Sequence, residues 1–148
     1  MNRLVILGVC LALAVPATAA LAAERDALKP RVPQGRIDAA KAIQNPIEAT
    51  KASVKIGEGV YRGRGSCNVC HGEQGGGDGI GASGLDPSPR NLTNPKWHKA
   101  RTDGELMYVF KHGIPGTAMI TVVPGLVTEE QAWHLVNFIR SLNSDNGT

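Results

Sequence analysis

Leu135, Phe138, Ile139 and Leu142 recur at i, i+3, i+4 and i+7, the stripe of a helix with one buried face. Trp133 and Val136 widen that stripe, and Thr128 with Gln131 forms a T-x-x-Q capping box. Together they predict a helix from Glu129 to about Leu142. A second stripe, Leu106, Val109 and Phe110, follows the T-x-x-E box of Thr102 and Glu105 and stops at Gly113. It predicts a helix from Asp103 to His112. Upstream, Ile56, Val60 and Arg64 share a helical face with Gly57 and Tyr61 beside them, which predicts a helix from Ser53 to about Arg64. Gly57 costs that helix about 1 kcal/mol relative to alanine, so a glycine there implies close approach by another helix. The segments between are rich in glycine and proline, with no alternating strand pattern.

The N-terminal part follows other rules. Asn2 and Arg3 precede an apolar run, Leu4 to Val15, and Pro16 and small residues to Ala23 follow. This is the pattern of a secretory signal peptide, residues 1–22, cut between about Ala19 and Ala23. The run has 12 residues, against the ~20 that span a bilayer, so no transmembrane anchor is expected after cleavage. Residues 23–52 read as a leader arm with Pro30, Pro33 and Pro46. Ile37 to Ile43 is long enough for a turn or two of helix before Asn45-Pro46 stops it. The arm is either a linker draped over the domain or a docking arm for a partner. The compact domain is expected over 53–142, and 143–148 is expected to fray.

Removing the signal leaves Cys67 and Cys70 as the remaining cysteines of the original three. Both lie in Cys67-Asn68-Val69-Cys70-His71, the C-x-x-C-H pattern of covalent c-type haem attachment. Two thiols three positions apart can each bond one vinyl group, and the adjacent histidine reaches the iron. One motif implies one haem. A thioredoxin-like pair needs a βαβ context, and zinc needs two further ligands at suitable spacing; neither is present. Arg3 leaves with the signal, so 16 basic and 13 acidic side chains become 15 and 13, a net charge near +2 that argues against nucleic acid. Gly79-x-Gly81-x-x-Gly84 has dinucleotide-fingerprint spacing but follows no strand.

His71 is expected as the proximal iron ligand, with its second ring nitrogen donating to a backbone carbonyl. The candidates for the sixth position are Met107, Met119, His98, His112 and His134. Met107 lies within a predicted helix and reads as a packing residue. Met119 follows the Pro115-Gly116 turn, and such a loop can carry a thioether across a flat cofactor, so Met119 is the expected ligand. The three histidines read as surface or hydrogen-bonding residues. With so few aromatics, three short helices make a thin core, and a buried porphyrin would complete it.

These residues resemble the class I monohaem cytochromes c of the bacterial periplasmic kind. The resemblance runs over about 45–142. It rests on Asn-Pro-Ile at 45–47, Gly-x-x-x-Tyr at 57–61, Cys-Asn-Val-Cys-His-Gly at 67–72 and Gly-Gly-Gly-Asp-Gly at 75–79. It continues through Pro-Arg-Asn-Leu at 89–92, Asp-Gly-Glu-Leu at 103–106, Gly-Ile-Pro-Gly-Thr-Ala-Met at 113–119 and the tryptophan-bearing last helix. It implies an all-α fold in which three main helices and glycine/proline-rich loops wrap one covalently bound haem. The first and last helices would cross at Gly57 and Tyr61 against Leu135 and Phe138. It also implies that a proline carbonyl, Pro89 before Pro87, accepts from His71. Leu92 would pack on the porphyrin, and Arg90, Trp97 and Arg101 would lie near the propionates.

The expected function is that of a periplasmic one-electron carrier that makes and breaks no substrate bond and serves a donor and an acceptor protein. One alternative is a dedicated cytochrome subunit of a larger periplasmic oxidoreductase. The others are a ligand-binding or peroxidase-like haem protein with an open sixth site, and a haem-free dithiol protein.

Overall fold

The computed structural model describes residues 28–147. The predicted signal peptide lies outside these residues. The described chain is all-α: α1 (Ile37–Ala42), α2 (Lys51–Arg62), α3 (Cys67–His71), α4 (Pro95–Ala100), α5 (Asp103–His112) and α6 (Glu129–Ser141), with 3₁₀ turns at Gln34–Arg36 and Ser144–Gly147. No strand occurs among the described residues, and no described helix is long and apolar enough to cross a membrane.

Both capping boxes form: Thr102 with Glu105 opens α5, and Thr128 with Gln131 opens α6. Helix α2 begins ahead of Ser53 because the Thr50 side chain accepts from the Ser53 amide, an N-cap that apolar periodicity does not reveal. The buried face of α2 is also rotated from the expected one. Ser53, Gly57, Val60 and Tyr61 are buried, whereas Ile56 is 49 % exposed and Arg64 lies past the helix end. The close contact at Gly57 sets this rotation. A Cβ there would stand 2.6 Å from the His134 carbonyl carbon and 2.8 Å from Phe138 Cβ. With α2 against α6 at that point, Ile56 falls on the outer side. Tyr61 and Phe138 then meet with ring centroids 5.1 Å apart.

The leader arm is packed onto the domain. Val32, Ile37 and Ala40 are buried against Tyr108 of α5. Buried Asn137 on α6 fastens the end of the arm: it donates to the Ile47 carbonyl (3.1 Å) and to Ser53 Oγ (2.8 Å), and accepts from Asn45 Nδ2 (2.9 Å). Satisfied amides of this kind hold a backbone segment in one place at little desolvation cost. The tail expected to fray is also tied, since Ser144 N donates to the Thr93 carbonyl (3.2 Å) and Asp145 pairs with Lys99 (3.2 Å).

Candidate functional site

Helix α3 is only five residues long, so most of its carbonyls lack intrahelical partners. The glycine-rich loop supplies them. Gly77 N donates to the His71 carbonyl (2.8 Å), Gly79 N to that of Cys70 (3.1 Å) and Gly81 N to that of Val69 (2.8 Å). Side chains would block this wrapping: a Cβ at Gly79 would lie 2.6 Å from the Asn68 carbonyl oxygen. Gly79 and Gly81 of the fingerprint-like spacing therefore belong, with Gly77, to a C-terminal cap of the Cys-x-x-Cys-His helix, and Gly84 stands apart from it with nothing within 4 Å of an added Cβ. Tyr61 reinforces the same end by donating its hydroxyl to the Gly72 carbonyl (2.7 Å), and burial raises its pKa above the ordinary tyrosine value.

One cavity of about 380 Å³ collects the chemistry-bearing residues. Cys67, Cys70, His71 and Met119 line it, as do Pro87, Pro89, Arg90, Leu92, Trp97 and Arg101. The remaining wall is mostly apolar, and includes Leu106, Phe110 and Ile139. Its size falls within the ~300–1,000 Å³ usual for cofactor clefts. Cys67 and Cys70 are free thiols. Met107 does not line the cavity and is a core residue, 1 % exposed. The three other described histidines are also off the cavity wall. His134 Nδ1 meets Ser53 Oγ (2.8 Å), exposed His112 lies beside the Tyr108 ring, and His98 is buried.

The partner of His71 differs from the expected one. His71 Nδ1 lies 2.9 Å from the carbonyl of Arg90, not of Pro89 or Pro87. The Pro89 carbonyl is turned toward the glycine loop, where it would be 2.6 Å from a Cβ at Gly77, and the next carbonyl faces the imidazole. Leu92 is buried, its amide held by the Gly75 carbonyl (2.6 Å). Met119 sits in a tied loop: Ile114 N donates to the Met119 carbonyl (2.8 Å), and Met119 N donates to Thr117 Oγ1 (3.1 Å).

The cytochrome c family model matches residues 54–143 of the chain. The chain belongs to the cytochrome c family. Membership implies covalently held haem c and haem-based electron transfer. No curated protein matches this cytochrome c. Among solved structures it shares its fold, at a TM-score of 0.59, with a chain described as "Kuenenia stuttgartiensis reducing HAO-like protein complex Kustc0457/Kustc0458". The two are 24 % identical over 69 % of this cytochrome c and 50 % of the other chain, so the match spans half the length of that protein.

The residues present suit a haem. Nδ1 of His71 donates to the Arg90 carbonyl, so the lone pair is on Nε2, the nitrogen left for a metal. Burial lowers the imidazole pKa, with the Arg90 carbonyl opposing, which favours a neutral ring. Burial pushes the Cys67 thiol up to about 11. Redox-active pairs depend on a lowered thiol pKa, so this environment speaks against the dithiol alternative.

His98 gives a pH test. Its Nε2 donates to the Leu92 carbonyl (2.7 Å), and Arg140 Nη1 faces its Nδ1 at 3.4 Å. Burial, and then the Arg140 charge, lower its pKa in the folded protein. The unfolded chain therefore binds a proton here that the folded one resists, and stability falls as the pH drops below about 6.5. Denaturant unfolding at pH 7.5 and pH 5 should show this loss in the wild type, and His98→Gln should have a shallower pH slope.

Proposed function

We propose that this cytochrome c is an exported, single-haem carrier of one electron at a time, working in the periplasm. In this reading Cys67 and Cys70 would hold the haem covalently, and His71 and Met119 would ligate its iron. The observation that carries it is the presence of both thiols, the His71 imidazole and the Met119 thioether on the wall of one cavity, while Met107 and the other described histidines stay off it. When bound, the haem supplies an iron that cycles between Fe(III) and Fe(II). The chain's own contribution is to hold the imidazole tautomer through the Arg90 carbonyl, to hold the thioether in a tied loop, and to keep water from the porphyrin with an apolar wall. A neutral sulfur ligand raises the potential and suits electron transfer over oxygen activation.

Met119→Ala tests this. The purified protein should keep its haem on a denaturing gel and lose the iron–thioether charge-transfer band of the oxidised state. It should also bind carbon monoxide rapidly when reduced. Its midpoint potential should fall on the order of 0.2 V, about a quarter of the ~0.8 V that axial ligands span. A wild type that already lacks the band and binds carbon monoxide would replace this reading with that of an open-site haem protein.

A second reading, a dedicated subunit of a larger oxidoreductase, is favoured by the solved neighbour, whose title names a protein complex. Copurification with a larger enzyme from the native host decides between subunit and shuttle.

A further inference from the structure

Residues 28–49 precede the segment matched by the cytochrome c family model, yet the arm forms part of the cavity wall. Arg31 and Val32 both line the cavity, and Val32 is buried. Arg101, also on that wall, joins the arm to the domain: its Nη2 donates to the Leu28 carbonyl, and its Nη1 lies 3.5 Å from Glu105 Oε1. The charged residues lining the otherwise apolar wall are Arg31, Arg90, Arg101 and Glu105, three cations to one anion. A low-dielectric wall of that sign suits a ligand with carboxylates, which guanidinium groups bind through paired hydrogen bonds. Haem carries two such groups, its propionates.

We propose that the arm is a third wall of the haem site and that Arg31 binds a haem propionate, so that haem loading and arm docking stabilise each other. The inference rests on the haem reading above and goes beyond it, because it assigns a binding residue outside the matched family domain. The coupling is reciprocal by linkage: a haem that binds the docked arm better than the free one holds the arm down. The arm then covers a haem edge that would otherwise meet water.

The test uses the full-length exported holoprotein as wild type, Arg31→Gln and Arg31→Lys, with covalent haem checked by haem-stained denaturing gels. Hydrogen exchange of the amides at 37–43 should be about tenfold faster in Arg31→Gln, while 129–141 stays unchanged, since a local docking contact is lost without global unfolding. The midpoint potential of Arg31→Gln should fall, because removing a nearby cation favours the ferric iron. Arg31→Lys, which keeps the charge, should recover most of the potential. Faster exchange with an unmoved potential would make Arg31 only a structural residue of the arm and overturn the propionate assignment. Unchanged exchange and potential would overturn the whole proposal. A wild type without covalent haem would overturn the haem reading itself, and the proposal with it.

Discussion

Replacing Cys67 and Cys70 together with alanine should abolish haem staining on denaturing gels and leave a largely unfolded chain. The first effect follows because these are the two thiols on the cavity wall. The second follows from the size of what they hold. Without the haem, the apolar side chains around a space of about 380 Å³ lose their packing partner and meet water, which removes much of the burial that stabilises a small domain. The cavity is continuous with the core: Leu92, Leu106, Phe110 and Ile139 belong to the buried core and also face the cavity. Circular dichroism and hydrogen exchange of the double variant should show lost helix and lost protection. A double variant with native-like helix content and protection would show that the helices close a core without the cofactor.

Gly57→Ala should be the most damaging single-methyl change in α2, and Gly59→Ala, two positions away, should stabilise. At Gly57 the new Cβ meets the backbone of His134 and Phe138 Cβ at 2.8 Å, neither of which can rotate aside. The helices must part, which loosens the Tyr61–Phe138 ring contact and the Ser53–His134 and Ser53–Asn137 hydrogen bonds. A loss of about 3 kcal/mol is expected, at the upper end for overpacking. For a domain of this size that lowers Tm by roughly 10–20 °C. At Gly59 nothing lies within 4 Å of the added Cβ, so alanine adds helix propensity of about 0.5–1 kcal/mol without a clash. Thermal unfolding of the two holoprotein variants reads the contrast directly. Equal effects at both positions would remove Gly57 as the point of helix contact.

The parts of this fold that were legible in the chain are those made by neighbours in sequence. Thr102 with Glu105 and Thr128 with Gln131 act across three residues, and both predicted helices begin where those boxes stand. The Pro115-Gly116 turn before Met119 was readable for the same reason. Ile56 shows where this stops. Its spacing placed it on the buried face of α2, but that face is set by where α6 touches Gly57, a contact 77 residues away in the chain. The acceptor for His71 shows it again. The family resemblance pointed to Pro89, and the choice fell to Arg90 because Gly77 takes up the space beside the Pro89 carbonyl. Arg31 and Val32 carried no signal, since nothing in an arm of mixed charge and proline tells which cavity it closes.

By itself, then, the amino-acid sequence determined the local chemistry: a Cys-x-x-Cys-His run, a methionine in a turn, capped helices and a glycine that asks for a close neighbour. Each depends on residues within about one helical turn, where geometry is nearly independent of the rest of the chain. Only the tertiary structure decided which groups share a cavity, which carbonyl receives the His71 proton, and that the arm is part of the wall. Those outcomes depend on how α2 seats on α6 and how the glycine loop folds over α3, contacts between distant segments that no local pattern encodes.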